Sequence, residues 1–341
     1  MASYHAPRKA TDPPSFGHNR TMHDFTVLVV PGAFASSVAA TLDILSTAAT
    51  LAQRRGLAVP RWRVCGPQSG LIALGQGMLL QVDELTTDAE DHSCWVIPGL
   101  GISDVESLLN RLEEDWVLQT LPALTAHVSQ GKDIAASCSA VFLLHAAGLL
   151  DGRQVTTSWW LAPQLSSIAP KCLVDPNVMV LCDPPFTTAG AAFAQTDLML
   201  HLLRRRLSPE LADYVGKALL LDGRQLQSPF INPAIMAQGN TLVANLTAYI
   251  EARLPHPPSV PSLAAYVGMS ERTLSRHVRK ATGLPTRHLI QRVQLNRARV
   301  LLETSRFSVE SIAEQVGYQD ATALRRLMRR LMNTSPKQLR Q

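Results

Sequence analysis

Cysteines are few and scattered in this chain of 341 residues. The five of them (Cys65, Cys94, Cys138, Cys172 and Cys182) include no CxxC pair to suggest a zinc site or disulfide framework, and a reducing cytoplasm fits best. The first 22 residues, MASYHAPRKATDPPSFGHNRTM, lack an apolar stretch of signal-peptide length and read as a flexible tail. Long hydrophobic runs are missing too: the apolar segment from Ile134 to Leu150 is interrupted by Ser, His and Gly and falls short of the roughly 20 residues that span a bilayer. A soluble protein with no membrane partner is expected, and neither a metal nor a cofactor is assigned. Charged residues make up only 17% of the chain, but hydrophobic residues make up 46%, which excludes a mainly disordered or collagen-like polymer. At about 150 residues per domain the length predicts two domains, three at most.

What charge there is falls unevenly. From Thr241 to Gln341 there are 16 Lys and Arg against 6 Asp and Glu, a net +10, whereas the first 240 residues carry 16 against 21, a net −5. A cationic module joined to a mildly acidic one suits a nucleic-acid binder with a separate sensing or catalytic domain. By charge alone a membrane-surface segment fits as well.

Phe25 to Val30 (FTVLVV) is a short, continuously apolar run, followed by Pro31-Gly32 and a helical pattern from about Val38 to Arg55. The rhythm recurs at Arg61 to Gly66, at Cys94 to Gly99 before two amphipathic stretches, and at Asp133 to Ser137 before AVFLLHAAGLL. Strands apolar on both faces and separated by helices predict an α/β domain, a parallel sheet covered on both sides. Ligand sites in such sheets lie beyond the carboxyl ends of the strands. The turns there supply the candidate pocket residues Ala33, Phe34, Gly99, Leu100, Gly101, Cys138, Ser139, Ser158, Trp159, Thr188 and Gly190. Gly99 and Gly101 either adopt positive φ and aim N–H groups at a carboxylate or carbonyl, or simply allow a tight turn. Phe34 and Trp159 are either an aromatic wall for an apolar or cationic group, or ordinary core.

At Ala136-Ser137-Cys138-Ser139-Ala140 a strand pattern changes into a helix pattern with a cysteine at the junction, flanked by the small residues that a nucleophile elbow requires. A thiol at a helix N-terminus is favoured as thiolate; the alternative is a buried structural cysteine. A catalytic thiol also needs a base. His145 lies seven residues along the same helix, roughly 10 Å by axial rise, and spacing ties none of His23, His92, His127 and His201 to the elbow.

The stretch from VVPG through VIPGLG, DIAASCSAVFLLHAAGLLDGRQVTTSW and TTAGAAFAQTDLMLHLL resembles the glutamine amidotransferase-like PfpI superfamily, in particular the sensor domain of GlxA-type regulators, over roughly residues 23 to 220. The resemblance implies a flavodoxin-like, amidotransferase-like parallel sheet. Active PfpI-like enzymes usually carry His directly after the Cys and Glu on the first helix; those positions are Ser139 and Ser37 here. Ser158 stands where such regulators often read TTHW. The exchanges remove base and carboxylate, so no catalytic residue is assigned and the pocket is expected to bind without reacting.

Residues 222 to 240, DGRQLQSPFINPAIMAQGN, lack periodicity and read as a linker between a sensor domain at 23–221 and a C-terminal domain at 241–341. Beyond it every pattern is helical. LAAYVGMSERTLSRHVRK (Leu263 to Lys280) and IAEQVGYQDATALRRLMRR (Ile312 to Arg330) form an internal repeat about 49 residues apart, with Gly268 and Gly317 at one bend. A short helix, a glycine turn, a polar N-cap (Ser270; Asp320) and a second helix studded with Arg make a helix-turn-helix. The 3.6-residue period turns Leu274, Val278 and Ala281, then Leu324, Leu327, Met328 and Leu331, inward. It leaves Arg272, Thr273, Ser275, Arg276 and Arg279, then Thr322, Ala323, Arg325, Arg326 and Arg329, outward as candidate DNA contacts, each to a base edge or a phosphate.

This region resembles the AraC-type DNA-binding domain, in which two such units joined by a long helix, here Thr286 to Leu302, enter successive major grooves; Thr334-Ser335-Pro336 and Arg340 match the family's ending. Leu324, Met328 and Met332 stand where Phe is usual, and Asn333 where Gly is, so looser packing of the second unit is expected. Together these readings predict an α/β sensor domain with a separate all-α domain of two helix-turn-helix units: a sequence-specific regulator of transcription, controlled by a small metabolite. The resemblance implies activation, an amino-acid-like or amine effector, double-stranded promoter DNA and RNA polymerase as partners, and a homodimer formed through the sensor domain. The other reading is a cysteine-dependent amidase or hydrolase carrying a DNA-binding module.

Overall fold

A computed structural model describes residues 23–102, 104–221, 223–231, 240–332 and 334–340. The expected tail at 1–22, residues 222 and 232–239 of the expected linker, and Asn333 lie outside the described residues. The first domain runs β1 (Phe25–Leu28), α1 (Ala35–Arg55), β2 (Trp62–Gly66), β3 (Gly70–Ala73), β4 (Leu79–Glu84), β5 (Cys94–Ile97), α2 (Val105–Arg111), α3 (Asp115–Ser129), β6 (Ile134–Ser137), α4 (Val141–Ala146), β7 (Gln154–Val155), α5 (Ala162–Ile168), β8 (Leu173–Val174), β9 (Val180–Asp183), β10 (Phe186–Ala189), α6 (Ala194–Arg206) and α7 (Pro209–Ala218).

Eight strands form one sheet in the order β3-β4-β2-β1-β5-β6-β10-β9. Its centre is parallel, with Val27 between Val64 and Val96. Every residue of β1, β5, β6 and β10 is buried, the state that continuously apolar strands anticipate when helices cover both faces. The edges depart from the expected all-parallel plan, because β3 pairs antiparallel with β4 and β9 antiparallel with β10. These strands were hidden because they are half-exposed: Leu71 and Leu79 face solvent while Ile72 and Val82 are buried. α1 is long and apolar enough to cross a membrane by length and composition, a feature the sequence reading overlooked. In the fold it packs against α6 and α7, with Val38, Ile44, Leu45, Ala48 and Ala52 buried.

The second domain contains α8 (Thr241–Glu251), α9 (Val260–Tyr266), α10 (Glu271–Thr282), α11 (Thr286–Thr304), α12 (Val309–Gln315), α13 (Ala321–Met332) and α14 (Pro336–Leu339). It has two small cores. Leu246, Ile250, Leu263, Leu274 and Val278 gather around Leu289, Ile290 and Val293 of α11. Ile312, Val316, Leu324, Leu327, Met328 and Met332 gather around Leu295, Ala298, Leu301 and Leu302 of the same helix. A single helix of 19 residues, about 28 Å long, thus serves as spine to both units. Leu324 and Met328 are fully buried, so apolar side chains of another shape fill the positions where Phe is usual. Ala281 and Leu331, expected inward, are only half-buried.

Candidate functional site

Cys138 follows β6 with φ at 56°, a left-handed conformation that a residue with a side chain rarely adopts. Around it the chain is crowded: a Cβ placed on Gly99 would lie 2.9 Å from the Cys138 Cβ. The elbow geometry suggested by ASCSA is therefore present. Of the two readings of the thiol, the environment favours the buried structural cysteine, because burial pushes the Cys138 thiol up against the smaller opposing pull of hydrogen bonds from Ser158 and Ser139. Its Sγ shares a 2.9 Å hydrogen bond with Ser158 Oγ. The two serines at the positions of the enzymes' base and carboxylate bond elsewhere: Ser139 Oγ donates to the Leu100 carbonyl and Ser37 Oγ to the Ala192 carbonyl, both at 2.9 Å. His127 is occupied by its own neighbours, stacked 4.0 Å from Trp95 and donating from Nε2 to the Asp133 carbonyl at 3.2 Å.

Beyond the carboxyl ends of β1, β5, β6 and β10 lies a cavity of about 360 Å³, within the size range of small-molecule sites. Its walls are largely aromatic: Phe34, Trp159, Trp160, Phe193 and Phe230, joined by Leu100, Ile102 and Met179. Phe34 and Phe193 meet edge to face at 6.5 Å. Arg224, Gln227 and Cys138 supply the polar atoms. Arg224 is already committed, since its Nη2 and Nε donate to Asp197 Oδ2 at 2.7 and 3.1 Å and its Nη2 also to the Phe193 carbonyl at 2.7 Å. Burial pushes the Asp197 carboxyl up while Arg224 draws it back down. With that charge matched internally, the walls offer chiefly aromatic faces, which suit apolar or cationic groups.

Of the pocket candidates read from the sequence, Phe34, Leu100, Cys138 and Trp159 line this cavity. Ala33, Ser139, Ser158 and Thr188 are buried behind the lining. Neither Gly99 nor Gly101 adopts positive φ, and the Gly101 N–H is taken by the Gly32 carbonyl at 2.9 Å. Gly101 is needed for closeness instead, because a Cβ there would meet the Gly32 oxygen at 2.6 Å. Gly190 is the seat of the Gln227 amide, whose Cδ lies 2.1 Å from where a Cβ would be. Trp160, Phe193, Arg224, Gln227 and Phe230 were missed. The last three belong to the aperiodic segment read as linker, yet Arg224 to Ile231 are fastened to the first domain: Val178 bridges Leu226, and the Gln227 N–H donates to the Asn177 carbonyl at 2.6 Å.

The two helix-turn-helix units share their turn chemistry. Gly268 and Gly317 take φ of 66° and 88°, and each following helix is capped from its polar residue, Ser270 Oγ accepting from Thr273 N at 3.2 Å and Asp320 Oδ1 from Ala323 N at 2.7 Å. Arg272, Arg276 and Arg279 on α10 are exposed, as are Thr322, Arg325, Arg326 and Arg329 on α13. Thr273, Ser275 and Ala323 are half-buried, and Ser270 donates to the Thr273 hydroxyl at 2.9 Å. Arg325 is paired with Glu310 at 3.1 Å. A cleft of about 540 Å³ next to α13 adds Lys337 and Arg340 to Arg325 and Arg329, two cations that helical periodicity did not single out.

A family model described as the DJ-1/PfpI family matches residues 35–205, and one described as a helix-turn-helix domain matches residues 263–341. The chain is similar to the HTH-type transcriptional regulator GbdR of Pseudomonas aeruginosa, with 23% identity over 95% of this chain and 85% of that protein. It is also similar to the HTH-type transcriptional regulator GlxA of Rhizobium meliloti, with 26% identity over 80% of this chain and 83% of the relative. Among solved structures, a THiJ/PfpI family protein from Pseudomonas syringae superposes with a TM-score of 0.50 at 18% identity, covering 69% of this chain and 93% of the other, a likeness of fold.

Proposed function

The chain belongs to the DJ-1/PfpI family and carries an AraC-type helix-turn-helix domain behind it, and from that premise we propose that it is a transcriptional regulator in the cytoplasm whose DNA contacts are governed by a small molecule bound among the aromatic residues of the first domain. One observation carries the reading: two helices with the same glycine turn and the same capping present exposed arginines, Arg272, Arg276 and Arg279 on one and Arg326 and Arg329 on the other. Arginine suits both guanine edges and phosphates. The relatives named as transcriptional regulators over most of their length support it. An amine or amino-acid-like effector suits the aromatic cavity, promoter DNA and RNA polymerase are the partners, activation is the direction, and two copies associate through the first domain; these finer points rest on the resemblance to such regulators.

The strained Cys138 backbone is the observation that favours a cysteine hydrolase. A buried thiol raised by desolvation and bonded to a serine favours binding without reaction instead. Labelling by iodoacetamide across pH separates the two: the regulator reading expects Cys138 to react more slowly than a free model thiol, and faster labelling restores the enzyme. Thermal-shift screening of the full chain against amines, amino acids and quaternary ammonium compounds, followed by gel-shift titration with and without each stabilising compound, tests the regulator. A stabilising compound that changes duplex affinity is the expected result. Equal affinity for every duplex at every salt concentration overturns it.

A further inference from the structure

The cavity and both DNA-reading units lean on one short segment. Gln227 and Phe230 face the cavity. Gln227 is held firmly, its Nε2 directed at the Thr157 and Val178 carbonyls at 2.9 and 3.1 Å while its Oε1 accepts from the Ala191 N–H at 3.0 Å. The carbonyl of the next residue, Ser228, accepts from Arg292 Nη1 at 2.7 Å. Arg292 lies on α11 between Ile290 and Val293, which feed the first core, and just before Leu295, the first residue of this helix that feeds the second. Its guanidinium, in a residue only 4% exposed, meets a carbonyl rather than a carboxylate.

The same wall touches each unit separately. Trp159, which lines the cavity, forms an apolar cluster with Ile231, Trp160 and Leu284, the residue just after the Gly283 cap of α10. A Cβ on Gly283 would lie 3.3 Å from Pro163 Cγ of α5, and α5 packs on α10. The turn Ser228–Phe230 also packs on α13.

We propose that residues 227–231 and Arg292 form a latch between the cavity and the DNA-reading units: what fills the cavity sets the position of this turn, and Arg292 passes that position to the helix that spaces the two units. This rests on the reading of the cavity as the effector site. A buried cation tied to a neutral acceptor is an all-or-none contact, since a displaced carbonyl strands the charge, and coupling between distant sites needs such a discrete element.

The test needs no knowledge of the natural effector. Ala192→Phe, which adds a ring inside the cavity, is combined with Arg292→Met in a double-mutant cycle on the full chain. Affinity is measured by fluorescence anisotropy for a duplex that the unaltered chain selects from a random-sequence pool. Ala192→Phe alone shifts affinity by about fivefold or more, the lower end of allosteric couplings. In the Arg292→Met background the shift falls below about twofold, although the duplex is still bound. An equal shift in both backgrounds overturns the latch while leaving cavity control of DNA binding intact, and a shift in neither overturns it as well. Failure of the unaltered chain to select any duplex defeats the regulator reading itself. Should Arg292→Met not fold, Leu284→Ala, which cuts the wall's contact with the first unit, carries the same expectation.

Discussion

The first domain spends its charges on itself, and the second presents them. In the first, Arg63 pairs with Asp91 at 2.7 Å, Arg206 with Asp133 at 2.9 Å and Arg224 with Asp197 at 2.7 Å, and Ser37, Ser139 and Ser158 bond to neighbouring carbonyls or to the thiol. In the second, Arg325 with Glu310 is the one side-chain ion pair among the described residues, against a net charge of +10 from Thr241 onward. Under the proposed function, a domain with matched charges selects its ligand by shape and by aromatic faces. A domain with surplus cations selects a polyanion and releases counterions as it does so.

The largest expected effect follows from that contrast. If six or more phosphates are neutralised, raising salt from 50 to 200 mM lowers duplex affinity by about 10³ or more, while a cavity ligand binds equally well at both concentrations. Anisotropy for DNA and calorimetry for the ligand check the pair, and a flat DNA response breaks the comparison. Next in size, Arg276→Ala or Arg326→Ala costs about 1–3 kcal/mol and relaxes discrimination at one base position. Competition among singly substituted duplexes measures it, and uniform weakening across all of them reassigns that arginine to phosphate.

Gln227→Leu acts on stability instead. It leaves the Thr157 and Val178 carbonyls and the Ala191 amide without the partner that now satisfies them, a loss of about 1–3 kcal/mol read from the urea midpoint. Arg276→Ala, on an exposed face, moves the same midpoint by about 0.5 kcal/mol or less. A further expected effect concerns pH. Burial pushes His127 down to about 4, whereas in the unfolded chain it titrates near 6.5. Its contribution is fully present above pH 6.5 and is lost as pH falls toward 4, because there the unfolded state binds the extra proton. Urea titrations between pH 7 and 4 should show this decline, and His127→Gln should flatten it.

The central strands were legible because apolar runs such as FTVLVV are buried on both faces, and the twin units because their glycines, caps and apolar positions repeat. The edge hairpins were not, because a four-residue strand with two exposed positions, such as Gly70–Ala73, looks like loop. Arg292 did leave a trace, as a cation two residues after Ile290 and next to Val293 on a buried face, but no pattern in the chain names its acceptor. For the glycines after β5 the sequence left positive φ and a tight turn open; crowding by Cys138 and Gly32, not backbone handedness, is what excludes a side chain there.

Periodicity, charge distribution and repeated turn signals reach across a few residues, so they sufficed for the two-domain plan, the parallel core, the elbow and the outward arginines. The cavity is another matter. Phe34, Leu100, Cys138, Trp159, Phe193 and Gln227 come from six separate loops, and they meet because parallel strands end at one edge of the sheet and a returning segment closes over them. Burial also raises the Cys138 thiol against the hydrogen bonds from Ser158 and Ser139, a balance that exists only once the chain has folded around it.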